Sequence, residues 1–326
     1  MESVKGKIAV VTGGGPGMGR AWVRQLAAEG CAVATCDLNA EAVEETAKLA
    51  ISGAPASTRV THHVCDVADE AQVDRFRDEV VSQHETTFVN LVFNNAGIGG
   101  GGSFVTGSRE EWEKTFAVCW TGVYNCSRAF VPLLVAGPEG YLINTSSVNG
   151  FWASLGPGVP HTSYSAAKFA VKGFSEALLE DFRVHAPHVK VAVVMPGHIG
   201  TDIIANTRRA LGQPQPDEMT EAQLETAKAD LVSRGMPVGE ATLDDVRKLL
   251  QQMWDGFRNN APMTSEEAAT VILNGVRTGA WRILVGADAV ALDEQVRADP
   301  ERAYGMNLHE TLGALRQSIN ADADQS

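Results

Sequence analysis

Ile8-Ala-Val-Val-Thr-Gly-Gly-Gly-Pro-Gly-Met-Gly19 carries a short apolar run directly into a glycine-rich turn, and the chain then continues as a helix. Gly13, Gly17 and Gly19 are spaced so that backbone amides, Met18 included, can approach a pyrophosphate at the start of that helix. The context of strand, glycine turn and helix is met, although the spacing differs from the six-residue G-x-G-x-x-G pattern. Eighteen residues beyond Gly19, at the end of a second apolar run, Asp37 stands where a carboxylate accepts hydrogen bonds from a ribose 2′-hydroxyl and repels a 2′-phosphate. Neither Gly15 and Pro16 before it nor Leu38 and Asn39 after it supply a compensating cation, so the expected cofactor is NAD, with NADP less favoured.

Outward from this unit, strand-length apolar runs recur at Ile8 to Val11, Ala32 to Thr35, Val60 to Val64, Phe88 to Phe93, Tyr141 to Asn144, Val189 to Val194 and Arg282 to Val285. Helical stretches separate them, which predicts an α/β fold: a doubly wound, parallel, seven-stranded sheet covered by helices on both faces. Ser108-x-x-Glu111, Thr220-x-x-Gln223 and Thr264-x-x-Glu267 read as capping boxes that open helices. Residues 1–326 are expected to form one domain, since no linker rich in Pro, Gly or Ser divides them.

Between the sixth and seventh runs the chain spends roughly ninety residues where one loop and one helix would serve as a crossover. The excess, 203–263, is expected to be a helical insertion forming a substrate lid. Within it Val246, Leu249, Leu250, Met253, Trp254 and Phe257 recur at helical spacing, so one apolar stripe either packs on the domain or covers an apolar substrate. Residues 287–326 read as a C-terminal tail, with a disordered tip and a middle that packs on a neighbouring subunit.

Tyr164-Ser-Ala-Ala-Lys168 lies seventeen residues after Ser147. Tyr and Lys four apart on a helix share a face, where an ammonium favours the ionised phenol. An unassisted tyrosine titrates near pH ~10 and makes a poor base at neutral pH.

With these residues in hand, the chain resembles the short-chain dehydrogenase/reductase family, single-domain enzymes of Rossmann type, over about residues 5 to 202 and 264 to 286. The motifs recur in order: Thr12-Gly-x-x-x-Gly17-x-Gly19, Asp66-Val67, Asn94-Asn-Ala-Gly97, Ser147, Tyr164-x-x-x-Lys168 and Pro196-Gly197. The resemblance implies that Asp66 and Val67 meet the adenine and that Asn94, Ala96 and Gly97 line the adenosine side. It implies that Pro196, Gly197, Ile199 and Thr201 meet the nicotinamide amide. Tyr164 would be the acid or base, Lys168 would lower its pKa and hold ribose hydroxyls, and Ser147 would donate to the substrate oxygen. Ser147 is selected over Ser146 by the pattern Ser147-Val-Asn-Gly150, with Asn149 beside the substrate. Phe151, Trp152 and Leu155 are expected to form an apolar wall, and His198 is a candidate substrate contact.

One position departs from the family pattern. Val118-Cys119-Trp120-Thr121-Gly122 replaces V-N-x-x-G, so a thiol stands where an asparagine is thought to hold a relay water, and a thiol hydrogen-bonds poorly. The expected activity is NAD-dependent interconversion of a secondary alcohol and a ketone on a bulky, largely apolar substrate. Two other readings stay open: a nucleotide-binding protein without turnover, and an epimerase.

The formal charge of -13 argues against a nucleic-acid partner. Cys31, Cys36, Cys65, Cys119 and Cys126 suggest a reduced compartment. With no leader pattern and no apolar run near ~18 residues, the expectation is a cytoplasmic protein without a membrane partner. A homodimer or homotetramer is anticipated. His62-His63-x-Cys65-Asp66 resembles a ligand cluster, but strand neighbours point to opposite faces, so no metal is expected.

Overall fold

The computed structural model describes residues 1–156, 159–233 and 235–305. In chain order it builds β1 (Ile8–Thr12), α1 (Gly17–Ala28), β2 (Ala32–Asp37), α2 (Ala40–Ser52), β3 (Val60–Val64), α3 (Glu70–Gln83), β4 (Leu91–Asn94) and α4 (Arg109–Phe116). A π-helical turn over Ala117–Thr121 leads into α5 (Gly122–Ala136), followed by β5 (Gly140–Thr145), α6 (Thr162–His185), β6 (Val189–Pro196) and β7 (Ile199–Gly200). Then come α7 (Ile203–Ala210), α8 (Glu221–Ser233), α9 (Leu243–Asn259), β8 (Met263–Thr264), α10 (Ser265–Thr278), β9 (Arg282–Val285) and α11 (Ala287–Ala298).

Seven parallel strands lie in the order β3-β2-β1-β4-β5-β6-β9, the α/β sheet expected. The order reverses between β1 and β4, and the crevice beyond the carboxyl ends of those two strands is where such sheets take ligands. Alternation along each strand divides the core. Val11, Phe93 and Ile143 face one layer with Trp22, Leu26 and Ile272 of α1 and α10. Val10, Val92 and Leu142 face the other, with Phe76, Phe130 and Phe182 of α3, α5 and α6. Trp22 and Phe93 meet with ring centroids 5.0 Å apart.

The fourth strand starts at Leu91 rather than Phe88. Thr86 turns back to bond Phe88 and the Val89 amide goes to Leu133 O, so those residues close a loop, and the ladder is joined only from Asn90, whose backbone bonds Ile8 and Tyr141. The short pair β7·β8 forms a separate two-stranded sheet with no periodicity to announce it. Thr264 and Glu267 form the expected reciprocal box, and Thr220 with Gln223 does likewise. Ser108 caps α4, but the Glu111 side chain departs to Gly101 N and Gln213, so that box is half made. An unanticipated box, Thr242 with Asp245, opens α9.

The described residues of the insertion form three helices. Val246 of α9 is fully buried with Leu224 and Leu231 of α8, and Leu249 and Leu250 pack against them, so much of the apolar stripe closes a small core inside the insertion. Toward its far end Trp254 lies under the Arg208 guanidinium of α7, and Phe257 reaches the body to lie against His198. The described part of the tail packs on its own chain, with Leu292 and Ala303 around Trp152; residues 306–326 of the expected tail lie outside the described residues. All five thiols are buried and unpaired, and among the described residues no helix is long and apolar enough to cross a membrane.

Candidate active site

The glycine turn is built so that nothing fills the end of α1. Gly13 has φ 66°, and a Cβ there would stand 2.8 Å from Ala96 Cα; a Cβ on Gly19 would stand 2.0 Å from Gly13 O. Pro16 occupies the N-cap of α1 with no capping side chain, so the amides of the first turn, Met18 among them, remain available to a phosphate. Asn95, between the anticipated Asn94 and Ala96, donates to Thr12 O at 3.0 Å and Gly13 O at 3.1 Å. Thr12 Oγ1 in turn accepts from the Asn95 and Ala96 amides. Thr12 and Asn95 are thus the braces of the loop. Their positions within two recognised motifs were visible in the sequence; their mutual contact was not.

Asp37 ends β2 with one carboxylate oxygen accepting from Gly15 N at 2.9 Å and the other from Asn39 N at 2.9 Å. Arg20, which bonds the carbonyl of the same Gly15, is further occupied by Thr46 and Glu45. Asp66 accepts from Ala68 N, while Val67 is buried where Gly122 lets α5 approach. The Asn94 amide is turned into the sheet, donating to Ser127 and Asn144, so it ties β4 to β5 and α5. Gly97 lies beside both Lys168 and Cys119: a Cβ there would be 3.6 Å from Nζ and 3.7 Å from Sγ.

The carboxyl end of β5 and the first turns of α6 bring Ser147, Tyr164 and Lys168 together. Lys168 is 2% exposed, donates to Thr145 O at 2.8 Å, and holds its ammonium 5.3 Å from the Tyr164 ring centre. An ammonium has three protons, so two remain for other acceptors. Ser146 Oγ donates to Lys168 O at 2.7 Å and so pins α6, whereas Ser147 Oγ accepts from Asn149 N at 3.1 Å and lies near enough to the Tyr164 phenol to lower its pKa. Burial is the first influence on that phenol and raises its pKa, the Cys119 sulfur adds to this, and the Ser147 hydrogen bond pulls it down. Desolvation thereby opposes the lowering expected from the lysine. Burial likewise lowers the Lys168 pKa, against the pull of Cys119. Cys119, fully buried in the π-helical turn, donates to Ile98 O at 3.2 Å.

Opposite the glycine turn, Pro196 ends β6 and Gly197 begins a loop to Ile199 and Thr201. The Thr201 methyl lies 3.3 Å from where a Gly17 Cβ would be, so this loop forms the far wall of the cleft beside the glycine turn. Ile199 is buried in the core beneath it. His198 is committed: its amide donates to Asp288 at 2.7 Å, its Nε2 bonds Phe257 O at 2.7 Å, and its ring meets Phe257 at 4.3 Å. That leaves His198 a strut between the loop, α9 and α11 instead of a free contact.

The anticipated apolar wall divides. Phe151 and Leu155 stay partly open. Trp152 is 1% exposed and donates to Ala303 O at 2.9 Å, and Asn149 donates to Trp152 O and Ser154 O, so these two hold the wall in place. Above the site, Thr207 of α7 accepts from Gly99 N at 2.7 Å, and Ala210 and Leu211 pack with Tyr164 around Ile98, Cys119 and Ala167. His63 is likewise spent, on Glu79 and Thr61. His161, which the sequence did not single out, lies with its ring centre 4.7 Å from that of Tyr164.

Comparison with known proteins identifies the family. A family model described as short chain dehydrogenase matches residues 7–212. SadH of Mycobacterium tuberculosis, assigned as an oxidoreductase, is 32% identical over 297 residues, 91% of this chain and 92% of its own. Human epidermal retinol dehydrogenase 2 is 34% identical over 201 residues, 61% of this chain and 62% of its own. Among solved structures, a short-chain dehydrogenase/reductase from Burkholderia phymatum in complex with NAD superposes with a TM-score of 0.70 at 25% identity, covering 91% of this chain and 96% of that one.

Proposed function

Because the chain belongs to the short-chain dehydrogenase family, we propose that it interconverts a secondary alcohol and a ketone with NAD, on a bulky and largely apolar substrate. The observation that carries this reading is the convergence of Ser147, Tyr164 and Lys168 beside an uncapped helix end. When bound, NAD would supply the acceptor for the hydride of the carbinol carbon. The first-turn amides of α1 would hold its pyrophosphate and Asp37 its adenosine ribose, while the Pro196 to Thr201 loop would close on the nicotinamide end. The two spare protons of Lys168 would hold the other ribose.

Tyr164 takes the alcohol proton in oxidation and returns it in reduction, while Ser147 donates a hydrogen bond to the same oxygen as charge gathers there. Lys168 places positive charge beside the phenol and opposes the cost of burying its ionised form. Phe151, Leu155 and the α7 cover exclude water from the reacting carbon. Asp37, with Arg20 already occupied, supports NAD over NADP.

The test is absorbance at 340 nm over a panel of alcohols and ketones with each nucleotide. Turnover of cyclic or aromatic secondary alcohols with NAD is expected; preference for small polar alcohols would refute the substrate class. A second reading, nucleotide binding without turnover, is motivated by Cys119 bonding Ile98 O. NAD binding with no reaction in either wild type or Cys119→Asn would favour it.

A further inference from the structure

His161 is a histidine with nothing to do in the fold. His63, His84, His188 and His198 each spend a ring nitrogen on a protein partner. Among the described residues, no group donates to or accepts from the His161 imidazole, although the residue is partly buried. Its backbone is nonetheless fixed. The next two amides, Thr162 and Ser163, donate to Gly102 O and Gly101 O at 3.1 Å each, and His161 O accepts the first helical bond from Ser165 at 3.1 Å. Three residues before Tyr164, one helical turn nearer the start of α6, its ring tilts 34° against the phenol ring.

We propose that His161 contacts the substrate, hydrogen-bonding a second oxygen carried close to the reacting carbon, so that the preferred substrates are alcohols or ketones with an additional hydroxyl, ether or carbonyl oxygen beside it. This rests on the reading of Tyr164 as the acid or base, which fixes where the reacting oxygen lies. Its ring nitrogens are not sealed into the protein and stay open to a ligand, and a site built to pair a substrate oxygen discriminates against analogues lacking it. Burial pushes the imidazole pKa down to about 4, so at neutral pH the ring is uncharged and offers one donor and one acceptor. An otherwise apolar wall with one such group orients a substrate without demanding a charged one.

The experiment uses the full chain saturated with NAD, on which saturated ketones cannot be turned over, and measures by calorimetry the Kd of 2-methoxycyclohexanone and of its near-isostere 2-ethylcyclohexanone. Wild type is expected to bind the methoxy ketone about tenfold more tightly. His161→Phe keeps a flat ring against Tyr164 but removes both nitrogens, and should bring the ratio near one; His161→Gln should restore part of it. A ratio near one in wild type, a ratio unchanged in His161→Phe, or no binding of either ketone overturns the proposal. Turnover of cyclohexanol with NAD at 340 nm is read separately and decides the redox reading by itself, since that alcohol lacks the second oxygen.

Discussion

Tyr164 sits at a balance that desolvation tips toward the protonated phenol. Oxidation needs the ionised form and reduction the protonated one, so the direction of that shift fixes a sign. kcat/KM for alcohol oxidation should rise with pH through the alkaline range, and that for ketone reduction should fall. Parallel pH profiles in the two directions would contradict the assignment. Tyr164→Phe should lower kcat by about 10²–10⁴-fold, while the Kd for NAD measured by calorimetry stays within about threefold. Asp37→Ala should raise the NADP-to-NAD ratio of kcat/KM about tenfold. Most of these side chains were legible as motifs because each motif combines a residue type with a fixed spacing. His161 was not, since a lone histidine before a helix carries no pattern; only its lack of partners and its distance from Tyr164 distinguish it.

At the level of elements, the central strands were readable because each is a short apolar run that must be buried on both faces, whereas β3 at the sheet edge, with His62 and Val64 exposed, shows a weaker signal. The β7·β8 pair was not readable, because two residues give no period. Capping shows the same division: Thr264 and Glu267 behave as their spacing predicts, whereas Glu111 is taken by Gly101 and Gln213, contacts set by tertiary structure. Helix α9 depends on its own cap and on burial against α8. Thr242→Ala should cost about 1 kcal/mol of stability by urea unfolding. If that loss loosens the cover without touching Ser147, Tyr164 or Lys168, KM for a bulky ketone should rise while the Kd for NAD holds. Equal loss of both would mean that α9 serves the whole fold.

For the whole molecule, acid sensitivity has an identifiable source. His84 is 8% exposed, and its pKa is pushed down to about 4, first by burial and then by Arg59 and His63. The folded chain refuses a proton that the unfolded histidine accepts near pH ~6.5, so this stability is complete above that pH and is lost as pH falls toward ~4. At pH ~5 the loss should be roughly 1–2 kcal/mol after allowing for partial solvent screening. In His84→Gln the urea midpoint should therefore fall less between pH 7 and 5 than in wild type; an identical fall would place the sensitivity elsewhere. The strut at His198 has a wider consequence. Its partners Phe257 and Asp288 lie well beyond residue 212, where the family match ends, yet they hold the loop that faces Gly17. A hybrid joining residues 1–212 of this chain to the remainder of a relative would keep every recognised motif and lose both anchors, so exchange of substrate preference between relatives has to move these late segments together with the loop they grip.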